Sequence, residues 1–117
     1  ADRDKLKELT DKGEIALLYR NASSEKDKEN FDIAKKGFSK VIAESKDKEL
    51  CGKSWFHLGE IEIVEGDLDR AIFSMRHAVQ NCFTHSKAFA YLYLFAALGK
   101  LPMAPKSHAV FELISPG

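Results

Sequence analysis

Cys82 and His85 stand three residues apart, with Cys51 well upstream. Thiol and imidazole groups at such spacing could hold zinc, and the two thiols could form a disulfide. A structural zinc site needs four ligands, and no Cys-x-x-Cys pair supplies the rest, so no metal site is expected. The simpler reading of Cys51 and Cys82 is two small buried thiols in a reducing cytoplasm. In an oxidising compartment a bridge between them would close a long loop, worth about 3–4 kcal/mol, and would point to export. His57, His77 and His108 are expected at the surface or at its edge. No nucleotide-binding loop, serine-nucleophile motif or His-Glu-x-x-His motif is present, so no catalytic residue and no cofactor are expected. Asn21-Ala22-Ser23 fits the glycosylation triplet, which matters only in a eukaryotic secretory setting.

The chemistry is sparse, so the elements carry the reading. At 117 residues the chain is expected to form one domain over 1–117. Eighteen basic and eighteen acidic side chains cancel, which removes any global pull toward nucleic acid or an anionic membrane. The charges are unevenly placed. Thirteen of the Lys and Arg lie in residues 1–54, whereas from Ala71 onward only Arg76, Lys87, Lys100, Lys106 and Glu112 are charged. The longest apolar run, Ala88 to Gly99, is well short of the roughly 20 residues a helix needs to span a bilayer.

"EGDLD" at Glu65–Asp69 reads as a helix stop, a turn and a helix start. Gly66 can take the left-handed conformation that ends a helix, and Asp67 can cap the next one. Two helices joined so tightly must run antiparallel. The second has an apolar stripe at Leu68, Ala71, Ile72, Met75, Ala78, Val79 and Cys82, the 3–4 alternation of a helix. In the first, Trp55, Leu58 and Ile61 form one row, and Phe56, Gly59 and Ile63 another.

The unit recurs. "FDIAKKGFSKVIAES" (Phe31–Ser45) matches "LDRAIFSMRHAVQNC" (Leu68–Cys82) at a constant shift of 37 residues, and Trp55 and Leu58 return 34 residues later as Phe89 and Leu92. Three all-α hairpins are predicted, with helices at about 2–20 and 30–45, 52–65 and 68–82, and 86–98 and 102–114. The polar stretch "NASSEKDKEN" (Asn21–Asn30) is expected to be a loop. Gly59 and Ala71 are expected to let two helices approach closely. Trp55 and Leu58 would fill the space beside that contact, and Ala78 would let the next unit pack on.

Trp55, Leu58-Gly59, Gly66-Asp67, Ala71, Met75 and Ala78 together resemble the signature of the tetratricopeptide repeat family. The match covers residues 52–83; over 30–45 it covers a second helix only. Glu62 replaces a usual Tyr, Phe83 a frequent Pro, and Tyr93 a small residue. The resemblance implies a short right-handed TPR-like solenoid of about three repeats and six helices (2–45, 52–83 and 86–114). It also implies a non-enzymatic adaptor that binds a peptide or helix of a partner protein in a concave groove. Carried over position by position, the groove residues would be Lys53, Phe56, Glu60, Ile63 and Val64, then Lys87, Ala90, Tyr91, Leu94 and Ala97. Phe56 and Glu60 stand where family members that clamp chaperone carboxylates use Lys and Asn, so that ligand is not expected. The alternative is a scaffold that homodimerises through the apolar hairpin at 86–114.

Overall fold

Glu29, Gly66 and Gly99 all take a left-handed backbone, with φ of 64°, 81° and 71°. Each stands just beyond a helix and makes the same pair of bonds. The Glu29 amide donates to the Lys26 carbonyl and the Asn30 amide to that of Glu25, both at 2.9 Å. Gly66 and Asp67 donate likewise to Ile63 (3.0 Å) and Glu62 (2.9 Å), and Gly99 and Lys100 to Ala96 (3.0 Å) and Phe95 (2.8 Å). This is the Schellman closure, which satisfies carbonyls left over at a helix C-terminus.

These turns belong to a computed structural model that describes residues 2–81 and 86–100. The described residues are all-α and contain no strand. The helices are α1 (Asp2–Asp27), α2 (Phe31–Glu44), α3 (Lys48–Val64), α4 (Leu68–Asn81) and α5 (Ser86–Ala97). Each packs on its neighbour in sequence, and α1 also touches α3. The three-residue turns at 28–30 and 65–67 make α1/α2 and α3/α4 antiparallel pairs. Between the pairs, Asp47 caps α3 by accepting from the amides of Glu49 (3.0 Å) and Leu50 (3.3 Å).

Two apolar clusters hold the helices together. Ala22, Ala34, Phe38, Leu58 and Ile61 join α1, α2 and α3. Phe56, Ala71, Met75, Ala78, Ala88, Leu92 and Phe95, with Ile72 and Val79, join α3, α4 and α5. Trp55 packs against both clusters. Burying side chains such as Leu58 or Ile61 contributes about 1.5–3 kcal/mol each.

The predicted loop at Asn21–Asn30 is a correction: α1 runs through it to Asp27. Its polar residues are engaged as helix residues. Ala22 is buried, and a Cβ placed on Gly37 of α2 would come within 2.7 Å of the Ala22 Cβ. Lys26 reaches Glu60 of α3, and Glu25 accepts from the Asn30 amide group at 2.7 Å. The close approach assigned to Gly59 is present, but its neighbour is Met75: an added Cβ would meet Met75 Cε at 2.7 Å. α3 begins at Lys48, earlier than the predicted 52, because Asp47 rather than a later residue supplies the cap. The predicted helix at 102–114, together with Cys82, Phe83, His85 and His108, lies outside the described residues.

Candidate functional site

Tyr19, His57, Phe56 and Tyr91 form a continuous row of rings across α1, α3 and α5. Their centroids are 5.7 Å apart for Tyr19–His57, 6.2 Å for Phe56–His57 and 6.1 Å for Phe56–Tyr91. Helical periodicity explains how α3 serves both neighbours: Phe56, Glu60 and Ile63 lie three or four residues apart on one face, with His57 and Val64 beside them. The predicted groove residues of the second unit therefore share a side of α3.

Polar bonds tie this face to α1. Lys26 Nζ donates to Glu60 Oε1 at 2.6 Å and to His57 Nδ1 at 2.9 Å. An ammonium has no lone pair, so Nδ1 must accept. The ring proton then sits on Nε2, which lies 2.9 Å from the Tyr19 hydroxyl and donates to it. Phe38 of α2 stacks on the imidazole at 4.8 Å and meets Tyr19 edge-on at 5.8 Å. Burial pushes the Tyr19 phenol above its ordinary pKa, against the pull of the nearby Lys53 charge.

The predicted groove residues divide by burial. Phe56 is only 6% exposed and belongs to the α3/α4/α5 cluster, against which Ile63 and Tyr91 are partly packed. Val64 and Leu94 are open, at 69% and 52%. Lys87, Ala90 and Ala97 are exposed on α5. Lys53 pairs with Glu49 one turn back at 3.6 Å. Tyr19 and Lys26 belong to the same face and were missed, because the sequence reading ended the first helix before Lys26 and matched the first unit to the second over its second helix only. The 37-residue shift carried backwards places Tyr19 under Phe56 and Lys26 under Ile63.

The signature residues sit on the other side of α3. Trp55 stacks on His77 at 4.4 Å and meets Phe73 edge-on at 5.8 Å. Arg70 lies 5.0 Å over the Phe73 ring. Burial, then the Arg70 charge, lowers the pKa of His77. Glu62 is buried in the α3/α4 contact. There it accepts from the Ser74 hydroxyl at 2.5 Å, with Arg70 Nε at 3.5 Å. Asp67 accepts from the Arg70 amide at 3.3 Å, the cap expected of it. Leu58, Ala71 and Ala78 are buried.

Cys51 is buried, and its thiol points to the carbonyls of Ser45 (3.6 Å) and Ile42 (3.9 Å). Burial raises its pKa, which disfavours the thiolate. Among the described residues no cluster of His, Cys, Asp and Glu could hold a metal ion, and no helix is long and apolar enough to cross a membrane. An open cleft of about 500 Å³ lies between α1 and the C-terminal end of α2, lined by Asp11, Glu14, Ile15, Leu18, Lys40 and Glu44 among others. Comparison of the chain with protein-family models, with curated proteins and with solved structures finds no significant match.

Proposed function

We propose that the face shared by α1, α3 and α5 binds a segment of another protein. In this reading the chain is a non-enzymatic adaptor built as a TPR-like stack of helical hairpins. The observation that carries it is the ring row Tyr19–His57–Phe56–Tyr91, which links α1, α3 and α5. Exposed Val64 and Leu94 add apolar surface on α3 and α5. The partly exposed rings of Tyr19, His57 and Tyr91, with Val64 and Leu94, suit an extended apolar segment or the apolar face of a helix. The Lys26–Glu60 pair cancels charge at its α1 edge. The matching Schellman turns at Glu29 and Gly66, 37 residues apart, support a repeated hairpin, since equivalent units close in an equivalent way.

The test is affinity capture from the native source, read by mass spectrometry, with Val64→Glu and Leu94→Glu beside the unmodified chain. Both side chains are exposed, so melting temperature should hold while a specific partner is lost. Retention of the same partner by both variants would reject the face. Phe56→Ala is unsuitable for this purpose, because it also opens the core.

A second reading is favoured by α5 itself. Tyr93 and Leu94 on α5 and Leu98 just beyond it are all exposed, and such a patch suits a homodimer contact. Light scattering separates the two readings: a monomeric mass at high concentration rejects the dimer.

A further inference from the structure

The first three turns of α1 project beyond the helices that pack on it. Every residue from Asp2 to Glu14 is exposed, including Leu6 at 64% and Leu9 at 58%. Leu6, Leu9, Gly13 and Ala16 follow a 3-4-3 spacing, the a/d pattern of a coiled-coil seam. At about 100° per residue, this stripe lies roughly opposite Leu18 and Ala22, which face α2. The bundle therefore cannot cover it. Gly13, midway along, has nothing within 4 Å of the position its Cβ would take, so a second backbone could approach there.

The charges beside the stripe are one-sided. In heptad terms Lys5 and Lys12 occupy g positions, and Arg3 and Thr10 occupy e positions. Asp4, Glu8 and Asp11 fall on the reverse of the helix, and only Asp2, at the tip, shares the stripe. Lys12 is held loosely by Glu8 at 3.6 Å, both side chains being largely exposed.

We propose that this stripe is a seam for one amphipathic helix of a protein partner, whose own apolar stripe is flanked by glutamate or aspartate. The flanks decide against a second copy of this chain. Antiparallel pairing would set Lys5 and Lys12 against themselves, and parallel pairing would set Lys5 against Thr10 and Lys12 against Leu17. Neither supplies an opposite charge. The shape decides against a bilayer, since the stripe is narrow and Asp2–Glu14 contains no aromatic residue, whereas interfacial helices present a broad apolar face. The seam is independent of the α1/α3/α5 face, and either could fail without the other.

The test uses the full chain and two labelled synthetic helices of about three heptads, with leucine at a and d and either glutamate or lysine at e and g. Fluorescence anisotropy should show the glutamate helix binding at least about tenfold more tightly, an advantage that shrinks with salt. Lys5→Glu with Lys12→Glu should reverse the preference. Leu6→Glu with Leu9→Glu should abolish binding of both helices, with the melting temperature unchanged because neither leucine touches the bundle. Failure of the glutamate helix to bind, or equal binding of the two, overturns the proposal. So does a Leu6-dependent dimer of the chain alone in sedimentation, or Leu6-dependent binding to phosphatidylserine vesicles that exceeds binding to the glutamate helix.

Discussion

Glu29 occupies the backbone position of Gly66, 37 residues on, with the same left-handed φ and the same two amide-to-carbonyl bonds. A side chain with a Cβ is held there in a conformation that costs about 1–2 kcal/mol relative to glycine. Glu29→Gly should therefore stabilise the chain. The gain is trimmed by the greater freedom of glycine in the unfolded chain, leaving about 0.5–1 kcal/mol. Denaturant melts would show a higher midpoint at unchanged slope. A lower midpoint would mean that the Glu29 side chain itself supports the turn.

That pair also explains where the sequence could and could not be read. Gly66-Asp67 announces a helix stop and a cap, so α3 and α4 were legible to within a few residues at the turn. Glu29-Asn30 forms the same turn without the glycine, inside a run of polar residues, and was read as part of a loop. Composition cannot distinguish a solvated loop from a helix whose polar residues meet partners on another helix, as Lys26 meets Glu60. The positions proposed on α3 came from the family resemblance, and they share one side of α3 because their spacing is helical. The continuation of that side onto α1 was hidden with the helix that carries it. Burial was less legible still: Phe56 and Val64 lie on the same side of α3, yet one is enclosed by α4 and α5 and the other is open.

The glycines of α1, α2 and α3 should separate in sign when replaced by alanine. In a helix interior the exchange is worth about 0.5–1 kcal/mol in favour of alanine, if there is room. Gly13 has room, and Gly13→Ala should gain that amount. At Gly37 the new methyl would meet the Ala22 Cβ at 2.7 Å, an atom fixed to the α1 backbone. Gly37→Ala should push α1 from α2 and lose about 1–3 kcal/mol. Gly59→Ala falls between, because the atom it meets most closely, Met75 Cε, ends a flexible side chain. Gly59→Leu exceeds what Met75 can yield and should cost at least as much as Gly37→Ala. Thermal melts of the four variants give the order directly, and a neutral Gly37→Ala would contradict the α1/α2 packing.

His77 links stability to pH. Its folded pKa lies below the unfolded value of 6.5, first because stacking against Trp55 removes water and then because Arg70 is near. Below pH 6.5 the unfolded chain takes up the proton more readily than the folded one. Its contribution is thus fully present above pH 6.5 and is lost as pH falls from there toward the folded pKa. His77→Gln should flatten the fall in stability between neutral and mildly acidic pH relative to the unmodified chain. The comparison should be made as a difference between the two chains. Identical profiles for the two chains would show that the ring is as easily protonated folded as unfolded.

Glu62 and Ser74 form a buried bond at the centre of the α3/α4 contact, and their substitution should not be additive. Ser74→Ala removes the hydroxyl donor at 2.5 Å and leaves the carboxylate with Arg70 Nε at 3.5 Å. An enclosed acceptor deprived of its donor costs about 1–3 kcal/mol, more than the net worth of the bond when both groups are present. Replacing Glu62 as well, by methionine of similar length, removes the need for the donor and keeps the contact filled. The double variant Ser74→Ala, Glu62→Met should therefore recover much of what Ser74→Ala loses, giving a coupling of about 1 kcal/mol or more in a double-mutant cycle. Strict additivity would mean that water or Arg70 already satisfies Glu62, and that the buried carboxylate is tolerated rather than held.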